Sequence, residues 1–193
     1  MEYTDLELDA LRELANIGSG TAGTALSSML GRPVDISVPR ALALPLADAV
    51  DAAGDAEQPA TGVVIPLQGD LQGTVLLLFD GDDAATLCSL LGVEPDSDVG
   101  LSALGEIGNI LGTSYIQALG QMTGLTLEPT PPHVATDMLG AIVATVLAAE
   151  AATADVALLL DSDLQVEGEP CSLSFMLLPE PGGVRELLTR LGL

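Results

Sequence analysis

The chain has 193 residues, 48% of them apolar, which is ample for a packed core and excludes a wholly disordered protein. Its formal net charge is -23, from 28 acidic residues against five arginines, with no lysine at all. That balance excludes nucleic-acid binding and attachment to an anionic membrane as main activities, because both need a basic surface.

So much like charge repels itself in dilute salt, whereas at roughly 1 M salt the Debye length shrinks to about 3 Å and most of the repulsion is screened. A halophilic setting is therefore expected, the alternative being an acidic protein of an ordinary cell. Cys88 and Cys171 lie far apart without a CxxC spacing, as buried thiols of a reducing compartment would. Met-Glu-Tyr-Thr-Asp at the start lacks the basic and apolar regions of a signal peptide, and the longest apolar span, 138–149, is too short to cross a bilayer. A soluble, cytoplasmic protein is expected.

In chain order, Leu11, Leu14, Gly18, Ala22, Ala25, Leu26 and Met29 recur at steps of three and four, predicting a helix over about 6–30. Asp9 stands where an N-cap or first-turn residue is wanted, and Gly31 follows as a C-cap. Strand-like sequence at 34–38 leads to Pro39. An alanine- and aspartate-rich insertion at 46–60 precedes two apolar runs, 61–67 and 73–79, that read as a hairpin, and a short amphipathic segment at 82–91 closes the half.

The second half repeats this plan. Leu104, Ile107, Leu111, Tyr115, Ala118, Leu119 and Met122 predict a helix over about 99–123, with Ser102 near its start and Gly124 at its end. Strand-like sequence at 125–128 leads to Pro132. A helix at 137–151, apolar runs at 154–160 and 171–178 around a connection at 161–170, and an amphipathic segment at 183–191 complete it.

At an offset of 93, residues 9–39 match 102–132 without a gap, and ten pairs are identical, among them Glu13/Glu106, Asn16/Asn109, Ile17/Ile110, Gly31/Gly124 and Pro39/Pro132. The chain is thus two repeats, about 5–93 and 98–193, with no linker to let them fold apart, and one domain over 1–193 is expected.

In each copy a Glu and an Asn three residues apart share one helix face, Cβ atoms about 5–6 Å apart, opposite the apolar stripe. A single such pair would be ordinary solvated surface. Asparagine, however, is a poor helix former, and it stands at the same station in two copies whose exposed neighbours differ. Gly20 and Gly23 leave the surface beside the first pair bare, while Thr113, Ile116 and Gln117 make the second shoulder bulkier.

Asp9-x-x-x-Glu13-x-x-Asn16 with Pro39 after 22 residues, and Ser102-x-x-x-Glu106-x-x-Asn109 with Pro132 after 22, resemble the signature of the CheC family of chemotaxis phosphatases. The segments 15–18, 26–32 and 105–110 extend the likeness over nearly the whole chain. The resemblance implies an α/β (α+β) fold: pseudo-twofold duplicated helix-β-β-β-helix units sharing a six-stranded, mainly antiparallel sheet, with two long helices side by side. It also implies hydrolysis of the aspartyl phosphate of the response regulator CheY. Asn16 and Asn109 would orient the attacking water, and Glu13 and Glu106 would pair with the partner's active-site lysine. Magnesium would belong to the partner, and no cofactor of the chain's own is expected. A carboxamide fits that role, since it can donate and accept but is too weak a base to deprotonate water.

By the same resemblance, the segment carrying Asp137, Met138, Ala141 and Ile142 lies where the deamidase CheD is thought to bind; the alternative is a helix burying its apolar side on its own sheet. A monomer or a heterodimer with CheD is expected. Other functions of the same fold remain open: a non-catalytic adaptor for CheD or phosphorylated CheY, or a flagellar or archaellar switch component. The one-site relative CheX fits less well, because both copies are intact here. Asp80-Gly81-Asp82-Asp83 lacks the later ligands of a calcium loop and reads as a turn with an N-cap. The single histidine, His133, has no neighbouring acid or nucleophile and is given no catalytic role.

Overall fold

The computed structural model describes residues 3–150 and 156–193. The first half runs α1 (Asp5–Leu30), β1 (Val34–Pro45), α2 (Leu46–Ala53), β2 (Pro59–Gly69), β3 (Gly73–Asp80), α3 (Gly81–Leu90). The second runs α4 (Asp98–Thr123), β4 (Leu127–Pro129), β5 (His133–Met138), α5 (Leu139–Glu150), β6 (Val156–Val166), β7 (Glu169–Pro179), α6 (Gly183–Arg190).

The sheet is antiparallel throughout, in the order β1-β6-β7-β3-β2, with β4 and β5 both on the remaining edge of β2. Seven strands therefore fill the six positions expected. The extra one arises because the counterpart of β1 is broken in two at Thr130-Pro131-Pro132, where prolines have no N–H for a ladder. Within β1 the same station is only a bulge: the register with β6 shifts between Ser37 and Arg40. Each half lends its outer strand to the other half's hairpin, which gives the sheet its pseudo-twofold plan.

The central strands β3 and β7 are covered on both faces, so their sequences are near-continuous apolar runs rather than alternating ones. Val75, Leu77, Phe79, Phe175 and Leu177 join the core beneath α1, α4, α3 and α6. Leu76, Leu78, Met176 and Leu178 join a second core with Leu139, Ile142, Val143 and Val146 of α5 and Ala49 of α2. Tyr115 fills the centre of the larger core, edge-on to Phe175 at 5.0 Å between ring centroids, its hydroxyl 3.0 Å from Ser162 Oγ. Burial lifts its phenol pKa to about 12. Cys88 and Cys171 are free and buried, as expected.

Both long helices lie within a residue of their predicted limits, and Gly31 and Gly124 end them in the left-handed conformation (φ 65° and 71°) that glycine permits. The capping residues differ from expectation: Asp9 and Ser102 sit inside the helices, and the caps are Thr4 and Ser97. Thr4 and Glu7 form a reciprocal capping box, and the Glu7 carboxylate also pairs with Arg185 of α6. The 161–170 connection is a correction too. Only Glu167 and Gly168 form the turn, because Ser162, Leu164 and Val166 point inward between outward Asp161, Asp163 and Gln165 and so continue β6. Residues 151–155, including the expected end of the 137–151 helix and start of the 154–160 strand, lie outside the described residues. Among the described residues no helix is long and apolar enough to cross a membrane.

Candidate functional site

The two long helices lie side by side and meet where Gly18 faces Tyr115: a Cβ on Gly18 would come within 2.7 Å of Tyr115 Cδ1 and 3.0 Å of its Cα. A side chain there would hold the helices apart, so this glycine sets their distance. Against the sheet, α4 presents Gly105, Gly108 and Gly112 to Val134, Val63 and Ile65. On α1 the corresponding stations are Arg12, Ala15 and Ser19. The glycines seat α4 closely on the sheet, whereas α1 has side chains at the same stations.

Glu13 and Glu106 are exposed, as their helix phase predicts. Asn16 is not opposite the core. It is half-buried in the seam between α1 and β1, where its Oδ1 accepts the Val38 N–H at 2.9 Å and its Nδ2 reaches the Val38 carbonyl at 3.5 Å. The phase of α1 alone could not show this, because it depends on how β1 returns beside the helix. Ser19, a turn further on, donates to the Asn16 carbonyl at 2.7 Å and lies 3.3 Å from the Ile36 carbonyl. Asn109 is also half-buried, but its carboxamide is held differently: among the described residues its Oδ1 receives only the Thr113 hydroxyl, at 3.5 Å, the outer limit of a hydrogen bond.

The shoulders differ from expectation in both copies. Gly20 is open, with nothing near a hypothetical Cβ, but Gly23 is buried 3.0 Å from the Val34 carbonyl and serves close packing of α1 on β1 rather than a bare surface. In the second copy Ile116 is fully buried, so of that shoulder Thr113 and Gln117 reach the surface. A feature not singled out from the sequence lies beside Glu13: Leu6, Ile17, Met122 and Leu193, all exposed, line a shallow apolar groove whose rim carries Arg12 paired with Asp9. The signal available was Ile17/Ile110, an apolar identity kept outside the apolar stripe.

Asp137 and Met138 are strand residues at the end of β5, not the start of a helix, and both are exposed. Ile142 is buried on Gly62 of β2, and Ala141 is half-buried. The α5 segment thus buries its apolar side on its own sheet. Asp80 caps α3 by accepting from Asp83 N–H at 2.8 Å, the turn reading of that acidic run, and Asp83 in turn accepts from the Ser172 N–H and hydroxyl of β7 at 3.0 and 2.7 Å. No cluster of potential metal ligands occurs among the described residues. His133 is exposed on β5.

Comparison with known proteins places the sequence in a family. The model of the CheC-like family matches residues 6–42 and again 99–135, the same 93-residue displacement found within the chain. The CheY-P phosphatase CheC of Bacillus subtilis is 31% identical over 96% of this chain and 94% of its own length. CheC1 of Halobacterium salinarum is 28% identical over 66% of this chain and 67% of its own. Among solved structures, FliY of Thermotoga maritima superposes over 100% of this chain and 98% of that one with a TM-score of 0.77 at 21% identity, a likeness of fold. On the doubled motif match and the near-full-length similarity to CheC, the chain belongs to the CheC-like family.

Proposed function

We propose that this chain hydrolyses the aspartyl phosphate of a CheY-type response regulator. The observation that carries the proposal is the Glu/Asn pair presented at the same station of both long helices, in a chain similar over nearly its full length to a CheY-P phosphatase. In this reading an exposed Glu13 or Glu106 pairs with a cation of the docked regulator, and the asparagine three residues on reaches its acyl phosphate. A water oxygen attacks phosphorus in line, the bond from phosphorus to the aspartyl oxygen breaks, and free carboxylate and inorganic phosphate leave. The asparagine supplies one acceptor for a water proton and one N–H, which orients the water without removing its proton, so the gain is positional. Magnesium in this scheme belongs to the regulator and neutralises the phosphoryl oxygens.

Docking excludes ions from the short Glu–cation contact, so the pair survives concentrated salt that screens longer-range steering. The apolar groove of Leu6, Ile17 and Met122 beside Glu13 offers contact area of a kind that salt does not weaken. The proposal is tested by mixing phosphorylated CheY with the chain at a tenth of its amount. Release of phosphate far beyond one equivalent per chain supports catalysis, and protection or a single-equivalent burst supports the adaptor reading instead. For CheD, the observation that keeps a docking surface in play is Met138, 53% exposed at the end of β5. Loss of CheD capture on Met138→Glu would support it, and unchanged capture would remove it.

A further inference from the structure

We infer that the two asparagines are unequal: Asn16 is latched to its own chain, and Asn109 is the one free to act. The inference rests on the phosphatase reading above but is drawn from a difference between the halves. Asn16 engages one residue of β1: its Oδ1 accepts the Val38 N–H at 2.9 Å, and its Nδ2 reaches the Val38 carbonyl at 3.5 Å, the outer limit of a hydrogen bond. That N–H is available because the bulge between Ser37 and Arg40 lifts Val38 out of the ladder with β6. The 2.9 Å bond therefore fixes the orientation of the carboxamide and engages the oxygen that a water-orienting asparagine needs, and releasing it strands a donor beside the buried Val38 side chain.

In the second half the station of Val38 is Pro131, 93 residues on, and proline has no N–H. The latch cannot form there. Asn109 donates no hydrogen bond within the described residues, and its one contact is the marginal one from Thr113. One residue, Val against Pro, thus decides whether each asparagine is held in the seam or is ready for a partner. Val38 and Pro131 act through the asparagines and are positioning residues.

A net hydrogen bond shifts an equilibrium by roughly two- to tenfold, so the latched site should supply only a minor share of turnover. With phosphorylated CheY in excess, Asn109→Ala should lower kcat about three- to tenfold, and Asn16→Ala by about a tenth to a third. The converse variant is Pro131→Val, which restores the N–H at an exposed position. It should lower kcat two- to fivefold at unchanged KM, since Glu106 is untouched. Side-chain NH2 resonances give a readout independent of activity. In the wild type the Asn16 amide should be rigid and that of Asn109 mobile, and Pro131→Val should rigidify the latter.

A larger loss from Asn16→Ala than from Asn109→Ala, or equally mobile carboxamides, would overturn the inference and leave the phosphatase reading standing. A double substitution of both asparagines that hydrolyses at the wild-type rate would overturn the reading itself.

Discussion

Both candidate site helices are held at a fixed separation by Gly18, and this can be tested with a pair of glycines two residues apart on α1. Replacing a helical glycine by alanine contributes about 0.8–1 kcal/mol of stability through backbone entropy when space is free. At Gly20 nothing lies within 4 Å of the new Cβ, so Gly20→Ala should stabilise by about 0.5–1 kcal/mol. At Gly18 the Cβ would lie 2.7 Å from Tyr115 Cδ1, 3.0 Å from Tyr115 Cα and 3.2 Å from the Ser114 carbonyl. Two of those atoms are backbone of α4, and Tyr115 is locked by Phe175 and Ser162, so the relief must come from moving a helix. Overpacking of this kind costs about 1–3 kcal/mol, of which the entropy gain offsets about 1, leaving Gly18→Ala destabilised by about 0–2 kcal/mol. The two variants should therefore differ by about 2 kcal/mol, roughly 4–8 °C in Tm for a chain of this size. Thermal or urea unfolding in concentrated salt measures this. Equal stabilities would refute the claim that Gly18 sets the helix spacing.

Thr4 and Arg185 hold the Glu7 carboxyl below the usual carboxylate range, with the Thr4 backbone N–H as the largest cause. Because the folded pKa is the lower one, its stabilisation is present above the unfolded value near 4.3 and is lost as pH falls through the folded one. Glu7→Gln should consequently flatten the acid limb of a Tm-against-pH curve below about pH 5 and lower Tm at pH 7; a parallel curve would contradict the assignment. Burial, with Asp83, Glu169 and Asp80 nearby, pushes the Cys171 thiol up to about 11, and burial raises Cys88 as well. Both should resist alkylation at pH 8 in the folded protein and react promptly in denaturant; rapid labelling of the native chain would contradict the burial. A net charge of -23 should make Tm rise steeply between 0.1 and 2 M KCl through screening, and a flat response would remove the halophilic reading.

Much of the fold was legible because the repeat doubled every signal. A helix pattern ending in glycine at the same station in both halves left little freedom in where α1 and α4 stop, and continuous apolar runs marked strands covered on both faces. The misreadings all fall on polar residues, each for its own reason. Thr4 escaped as a cap because Asp9 stands in the motif, although Thr4 with Glu7 three residues on already spells a capping box. Asp161–Val166 read as a loop because its outward aspartates hid the inward alternation of Ser162, Leu164 and Val166. At the candidate site, the spacing of Glu13 to Asn16 was enough to put them on one helix. Helical phase carries no information about a strand that returns after 22 residues, so the Val38 contact was invisible. Its absence from the second half was written in the sequence as Pro131, but that residue has meaning only once Val38 is seen to donate.

The most direct measurement of the central claim is phosphate release from phosphorylated CheY, with magnesium present, under a catalytic amount of the wild-type chain and of the Asn16→Ala, Asn109→Ala double variant, both verified as folded. The account expects many turnovers from the wild type and a rate reduced to that of CheY alone with the double variant. Equal rates for the two proteins would contradict it.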